Sequence, residues 1–356
     1  MKKPTEFFKE KRPWSKMKDA ILGKYLVPYL AKVKKLGQVI IIIDGFAGCG
    51  KYSDGTDGSP LIICKIIQKM QKTGVQAFGV FIEKDDKCFS TLANELKPYV
   101  SEEIALPVPG DFEALTSKIS GLPPTSPMFI YIDPFGLKGM RMSQLESVLG
   151  RAVLQSTEVL INFSFQTLLR EAKVSPDLVR DVMGGDEHEA VLEDSSLKLR
   201  EKEIRVLEIY KDKHRRYFRY VGSCPILYKE DKAKYHLVYA TNNFEGIKTM
   251  NDIMHNEVNA FYSEGKLFPT MPAEEEKDLK VLRTHIVDTV RAAGLITRGQ
   301  IKEILIPSLF RIYHSGDYGR IIETLIDDGV LYSETGKKRI NDNVRLSMTQ
   351  FETHNA

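Results

Sequence analysis

The sequence predicts a doubly wound α/β sheet followed by a small, mostly helical unit. Three observations predict it. Short apolar runs of strand length recur between amphipathic stretches; acids stand at the ends of those runs; and the alternation gives out before a linker, "FPTMPAEEEKD", near residue 275, that combines two prolines with an acidic run. Alternating strand and helix implies parallel strands joined by helical crossovers. At 356 residues with 42% hydrophobic content, the chain is long enough for two or three domains with a sizeable core.

The elements follow in order. Apolar residues at Met17, Ile21, Leu22, Tyr25, Leu26, Tyr29 and Leu30 have helical spacing, so Trp14 to Lys35 reads as an amphipathic helix with Ser15 as N-cap. Val39 to Ile43 is apolar and β-branched throughout, as a central strand buried on both faces must be. Then come helix 61–72, strand 77–82, helix 88–96, strand 105–108, helix 112–119, strand 128–132, helix 143–149 and strand 158–163. A helical insertion over about 166–215 precedes two strand-like runs, 217–222 and 235–241, close enough for a late antiparallel pair. Beyond the linker, helices over 279–293, 297–305 and 318–328 and two short strands around "SETGKKRINDN" have the order of a winged helix-turn-helix. The predicted division is a basic helical flank over 1–35, a sheet domain over 36–262 and a winged-helix domain over 275–350.

Formal net charge is +3, unevenly placed: residues 1–37 carry eleven Lys or Arg against Glu6, Glu10 and Asp19. Such a basic flank suits a phosphate backbone or a solvated helix face. Lys337, Lys338 and Arg339 at the expected wing tip, and Arg215 and Arg216 beside Tyr217 and Arg219, are further nucleic-acid candidates. Cys49, Cys64, Cys88 and Cys224 lie far apart without C-x-x-C spacing, so the expectation is neither a zinc knuckle nor a disulfide framework, and a reducing, cytoplasmic setting. His188 and His255 lack H-E-x-x-H spacing, so no metal is expected. No apolar run approaches the roughly 18 residues of a membrane span.

The stretch "IIIIDGFAGCGKYSDG", from Ile40 to Gly55, fits two nucleotide loops. Gly45 to Lys51 spells the phosphate loop G-x-x-x-x-G-K, whereas Asp44 to Gly50 spells D-x-F-x-G-x-G, with Phe46, Gly48 and Gly50 in the positions of an S-adenosylmethionine loop. A phosphate loop must run straight into a helix and follow its Lys with a small hydroxyl residue. Here Tyr52 follows, and Gly55, Asp57, Gly58 and Pro60 delay the helix until about Ser59, read as N-cap with Pro60 at N1. The second reading explains more. Glycines admit a methionine moiety, Asp44 can receive its amino group, Glu83 ending "VFIE" can take two ribose hydroxyls, and Asp111 in "PGDF" can meet adenine with Phe112 beside the ring. The expected fold is therefore a class I methyltransferase sheet with S-adenosylmethionine as cofactor.

"YIDPFG", Tyr131 to Gly136, carries the expected chemistry. It resembles the D-P-P-Y loop of amino-methyltransferases, and more closely the D-P-F-G of tRNA guanine N2-dimethyltransferases. An exocyclic amine is a poor nucleophile because its lone pair delocalises into the ring. Asp133 and the Pro134 carbonyl can accept its two N–H groups while Phe135 stacks on the base. Covalent C5 methylation would need a cysteine beside this loop, and Cys224 falls on the late strand pair. Asn162, Ser164 and Gln166 alternate after the fifth strand, where they can line the substrate mouth.

Five segments, "FFKEKRPWSKMKDAILGKYL", "IDGFAGCGKYSDGTDGSPLI", "FIEKD", "YIDPFGLKG" and "YHLVYATNNFEGIKTMNDIM", together resemble the three-Cys-motif partner proteins over about residues 7–260. The resemblance implies a methyltransferase-like fold and a functional link to a separate three-Cys-motif protein, itself similar to radical-type iron–sulfur enzymes. By analogy with amino-methyltransferases, Trp14, Ser15 and Lys18 look like a helix that closes over the cofactor. The sequence departs from D-P-P-Y in lacking the second proline and the tyrosine hydroxyl. A methyltransferase-like binding protein without turnover is the competing expectation.

Overall fold

The computed structural model describes residues 11–151, 156–229, 232–263 and 278–349. The first helix, α1 (Pro13–Val33), leads into β1 (Ile40–Asp44), α2 (Ser59–Gln71), β2 (Ala77–Glu83), α3 (Asp86–Ser101), β3 (Ala105–Pro109), α4 (Phe112–Ser120), β4 (Met128–Ile132), α5 (Met142–Leu149) and β5 (Thr157–Phe163). The insertion forms α6 (Phe165–Glu171), α7 (Pro176–Met183), α8 (Glu187–Glu193) and α9 (Leu199–Arg215), and β6 (Tyr220–Lys229) and β7 (Lys232–Thr241) follow. The sheet order is β3-β2-β1-β4-β5-β7-β6, with β1 to β5 parallel and β7 antiparallel to both its neighbours.

Strand alternation sorts the core into two layers. Ile40 and Ile42 face Tyr25, Leu26 and Ile67 from α1 and α2, while Ile41 and Ile43 face Phe112, Leu145 and Val148. Helix α1 is further tied down by a buried polar knot: Glu158 on β5 accepts hydrogen bonds from the hydroxyls of Tyr25 (2.6 Å), Tyr239 (2.8 Å) and Thr241 (3.0 Å). Such a carboxylate is tolerated inside because its oxygens are occupied.

Helix α10 (Phe244–Ser263) packs beside α1 and carries the chain out of the sheet. It has no counterpart among the elements read from the sequence, where Asn242 to Met254 signalled only a resemblance. After it come α11 (Leu279–Ala293), β8 (Leu295–Thr297), α12 (Arg298–Ser308), α13 (Ser315–Asp327), β9 (Leu331–Ser333) and β10 (Arg345–Met348), with the three strands antiparallel in the order β8-β10-β9. Leu282, Ile286 and Val290 of α11 meet Ile322, Leu325 and Leu346 in a separate core. This unit docks on α10 and the start of β6. Asn251 brackets its loop by accepting from the Arg311 N–H (2.7 Å) and donating to the Tyr313 carbonyl (2.9 Å), and Arg219 pairs with Glu303 at 2.9 Å.

Four expectations need correction. The N-cap of α1 is Arg12 with Pro13 in the first turn; Ser15 lies inside the helix, buried. The N-cap of α2 is Gly58, which frees the Ser59 hydroxyl for another partner. The first strand of the late pair starts at Tyr220 and extends to Lys229, longer than its apolar alternation suggests, because pairing with β7 carries it past Pro225. Finally, Cys49 and Cys88 are joined by a disulfide, while Cys64 and Cys224 are buried and outside it. Spacing along the chain hid this pair. β1 and β2 are parallel neighbours, and each cysteine lies five residues beyond its strand's last residue, so the sheet brings them together. The reducing setting read from cysteine spacing thereby loses its support. The linker, with its two prolines, and residues 2–10 of the basic flank lie outside the described residues.

Candidate active site

The carboxyl ends of β1, β4 and β5 open into one cavity of about 210 Å³. This is where parallel sheets hold ligands, because the strand order reverses between β1 and β4 and leaves a crevice. Its walls are α1 (Trp14, Ser15, Lys18, Asp19), the glycine loop after β1 (Phe46 to Gly48, Gly50 to Tyr52), the loop after β4 (Asp133 to Gly136), the end of β5 (Asn162, Ser164) and β7 (Lys234, Tyr235). Eleven of the site candidates singled out from the sequence meet there: Trp14, Ser15, Lys18, Phe46, Gly48, Gly50, Asp133, Pro134, Phe135, Asn162 and Ser164; Gln166 does not line the cavity.

The glycine loop bends because Gly48 (φ 62°) and Gly50 (φ 78°) adopt backbone angles that side chains disfavour. Its N–H groups are placed by acids. Glu83, at the end of β2, accepts from Gly48 N–H (2.8 Å) and from Asp85 N–H (2.7 Å), so this carboxylate ties the loop to the neighbouring strand end. Asp44 is fully buried beneath the loop, accepting from the Phe46 N–H (3.1 Å) and the Ser59 hydroxyl (2.6 Å). Burial pushes its carboxyl up to about 7 despite those two bonds. Glu83, Asp44, Asp111 and Phe112 do not themselves line the cavity. Asp111 caps α4 by accepting from the Glu113 N–H (3.1 Å) and lies 3.6 Å from Lys84, and Phe112 is buried behind Phe46, their ring centroids 5.6 Å apart. Phe46 therefore presents the aromatic surface that the sequence suggested for Phe112.

Asp133 is the most heavily engaged group in the cavity. Its Oδ2 accepts from the ammonium of Lys18 and, at 3.3 Å, from the Tyr131 hydroxyl, and its Oδ1 accepts from Asn162 Nδ2 at 2.6 Å. Burial alone would depress the Lys18 ammonium, but Asp133 holds it well above the ordinary lysine range, so the pair is ionic. The orientation of Asn162 follows from chemistry. A carboxylate accepts only, so Nδ2 must face Asp133 and Oδ1 must face away. That Oδ1 is buried and has no donor among the described residues. Only the alternation after β5 hinted at Asn162 in the sequence. The ring of Phe135 stands 61% exposed at the mouth.

The geometry does not suit a phosphate loop. Lys51 pairs as an isolated bridge with Asp57, directs its ammonium to Glu95 at 3.5 Å, and precedes α2 by eight residues. No group of His, Cys, Asp and Glu that could hold a metal occurs among the described residues. No described helix is long and apolar enough to cross a membrane.

The basic candidates fall elsewhere. β7 runs from Tyr235 at the cavity to Thr241, which pairs with Tyr220 at the opposite end of the sheet, roughly 20 Å away at strand rise. Arg215 and Arg216 lead into that far end, and Arg215 is paired with Asp212 and with Glu208 (3.3 Å). Lys337, Lys338 and Arg339 are exposed between β9 and β10, with Lys338 paired to Asp327.

A seven-stranded sheet in the order 3-2-1-4-5-7-6, with strand 7 alone antiparallel, defines a class I, Rossmann-like methyltransferase fold. No protein-family model and no curated protein matches the sequence. Solved structures with a similar chain path include the Legionella pneumophila protein LPL1258 (10% identity, TM-score 0.43, covering 72% of this chain and 93% of its own). Others are Aeropyrum pernix fibrillarin with natively bound S-adenosyl-L-methionine (12%, 0.32, 64% and 76%) and the magnesium protoporphyrin IX methyltransferase of Synechocystis with bound S-adenosylmethionine (9%, 0.31, 62% and 79%). At such identities the likeness concerns the fold alone, and the strand order carries the assignment.

Proposed function

We propose that the chain is an S-adenosylmethionine-dependent methyltransferase acting on a nitrogen of a nucleobase in DNA or RNA. One observation carries this reading: a single cavity at the carboxyl ends of the strands is walled on one side by the glycine loop after β1 and on the other by Asp133–Pro134–Phe135 after β4. The glycine loop and Phe46 would hold the adenosyl and methionine portions. Glu83 can reach ribose only by giving up or sharing its hold on Gly48. When bound, the cofactor supplies a sulfonium methyl group.

The chain's own residues do the rest. Asp133 and the Pro134 carbonyl would present acceptors to the N–H groups of an amine, Asn162 would hold the Asp133 carboxylate in place, and Phe135 offers a stacking face. Most of the acceleration would come from holding nitrogen and methyl group in line. Arg12, Lys16 and Lys138 are exposed close to the cavity and make no ion pair among the described residues, and Lys234 lies over the Trp14 ring; these favour a polyanion at the mouth. The C-terminal unit, whose strand and helix order is that of a winged helix, would hold more distant phosphates.

Transfer of tritium from methyl-labelled S-adenosylmethionine to mixed DNA and RNA tests this. Asp133→Ala should abolish transfer and leave the affinity for S-adenosylhomocysteine within about threefold, as expected for a group acting on the acceptor; undiminished transfer rejects the assignment.

A second reading is a cofactor- or nucleic-acid-binding protein without turnover, serving a three-Cys-motif partner. One observation favours it: the Lys18 ammonium already occupies Asp133 Oδ2, where an acceptor amine would dock. Tight cofactor binding with no label transfer, in the presence or absence of such a partner, would select it.

A further inference from the structure

We propose that Cys49 and Cys88 form a thiol–disulfide exchange site that sets the affinity of the glycine loop for its adenosyl ligand. The inference rests on the cofactor reading above and adds a covalent modification site to it. Cys49 lies between Gly48 and Gly50, both on the cavity wall, so the bond grips the bend itself. Cys88 is the third residue of α3, a helix anchored through Asp85, which accepts from the Cys88 N–H at 2.9 Å. The Cα atoms are 4.2 Å apart across 39 residues of sequence.

Without the sulfur bridge, the loop is held to the β2 end by the Ala47 N–H on the Ile82 carbonyl (2.9 Å) and by Glu83 on Gly48, and beyond Gly48 it is tied to α3 by the exposed Lys51–Glu95 pair at 3.5 Å, an interaction of the kind that contributes little in water. A loop centred on two glycines regains much backbone freedom when such a tie is cut. The freedom must be surrendered again when ligand binds. Cutting the bridge also leaves Glu83 as the tie on Gly48, in competition with any ribose hydroxyl.

Access differs between the two sulfurs. Cys49 is half-buried and Cys88 is 4% exposed, so an incoming thiolate meets Cys49 first. In the exchange, one thiolate of a dithiol reductant attacks Cys49 Sγ. The Cys49–Cys88 bond breaks, and Cys88 departs as a thiolate that takes up a proton. The second thiol of the reductant then attacks the mixed disulfide and releases Cys49. Two protons and two electrons pass to the protein, and the reductant leaves as its own disulfide. Cys64 and Cys224 are fully buried and offer no competing site.

The test uses the full chain, equilibrated with oxidised or reduced dithiothreitol. Labelling with N-ethylmaleimide and peptide mass spectrometry read the sulfur state, and calorimetric titration with S-adenosylhomocysteine reads affinity. The oxidised protein should leave Cys49 and Cys88 unlabelled. On reduction Cys49 should label, and Kd should rise by about tenfold, the scale set by re-ordering a few loop residues. The Cys49→Ser, Cys88→Ser double variant should match the reduced protein and ignore the reductant; should it fail to fold, the wild-type comparison still decides. Equal affinity in both sulfur states overturns the inference and leaves the cofactor reading intact, as does failure of the bridge to form under oxidised dithiothreitol. Absence of binding in both states overturns the cofactor reading and this inference together.

Discussion

Asp44 makes the stability of the sheet domain pH-dependent in a direction opposite to that of an ordinary ion-paired carboxylate. Its side chain is fully buried, hydrogen-bonded to Ser59 and Phe46, and titrates near 7 in the native state against 3.8 when solvated. The native state therefore binds a proton more tightly than the unfolded chain. This contribution to stability is complete below about pH 4 and is lost as pH rises through 7. Integrated between pH 5 and pH 8, the loss amounts to about 2.5 kcal/mol, since each unit of pKa difference corresponds to about 1.4 kcal/mol. The perturbation is Asp44→Asn, which keeps an acceptor oxygen and removes the titration. Urea denaturation at pH 5 and pH 8, followed by fluorescence of Trp14, the single tryptophan and part of the cavity wall, measures the sheet domain. The difference between the two pH values should be smaller in the variant by about 2.5 kcal/mol, because other carboxylates titrate equally in both proteins. Parallel pH dependences in variant and wild type would refute the reasoning.

Other outcomes follow from the same contacts. At Gly139 (φ 96°) an added methyl group would fall within the Phe46 ring, so Gly139→Ala should displace Phe46 and weaken S-adenosylhomocysteine binding by about tenfold or more, measured by calorimetry. An unchanged Kd would remove Phe46 from the cofactor site. Glu158→Gln replaces an acceptor of three hydroxyl groups with an amide that must present N–H to at least one of them, and should lower the denaturation midpoint by about 1–3 kcal/mol equivalent. If the C-terminal unit grips duplex phosphates, Lys337→Glu with Arg339→Glu should reduce the log–log salt slope of DNA or RNA binding, read by fluorescence anisotropy, by about two. An unaltered slope would place the phosphate contacts elsewhere.

The sequence alone determined the sheet and its glycine bend. Runs such as Ile40 to Ile43 and Met128 to Ile132 are legible because a strand buried on both faces has no polar position, and local rules of backbone conformation locate Gly48 and Gly50. The same locality made Asp133, Pro134 and Phe135 visible as one contiguous motif. Tertiary structure decided which of these residues share a cavity and what each side chain meets. Lys18 is 115 residues from Asp133 yet neutralises it, and Asn162 reaches the same carboxylate from the next strand. Asp111 and Phe112, equally plausible by position, turn to cap a helix and fill the core. Cys49 and Cys88 meet only because two parallel strands lie side by side. The physical reason is that periodicity and turn chemistry act over a few residues, whereas ion pairs, amide orientation, ring packing and sulfur bridges depend on distances that exist only after the strands have taken their order.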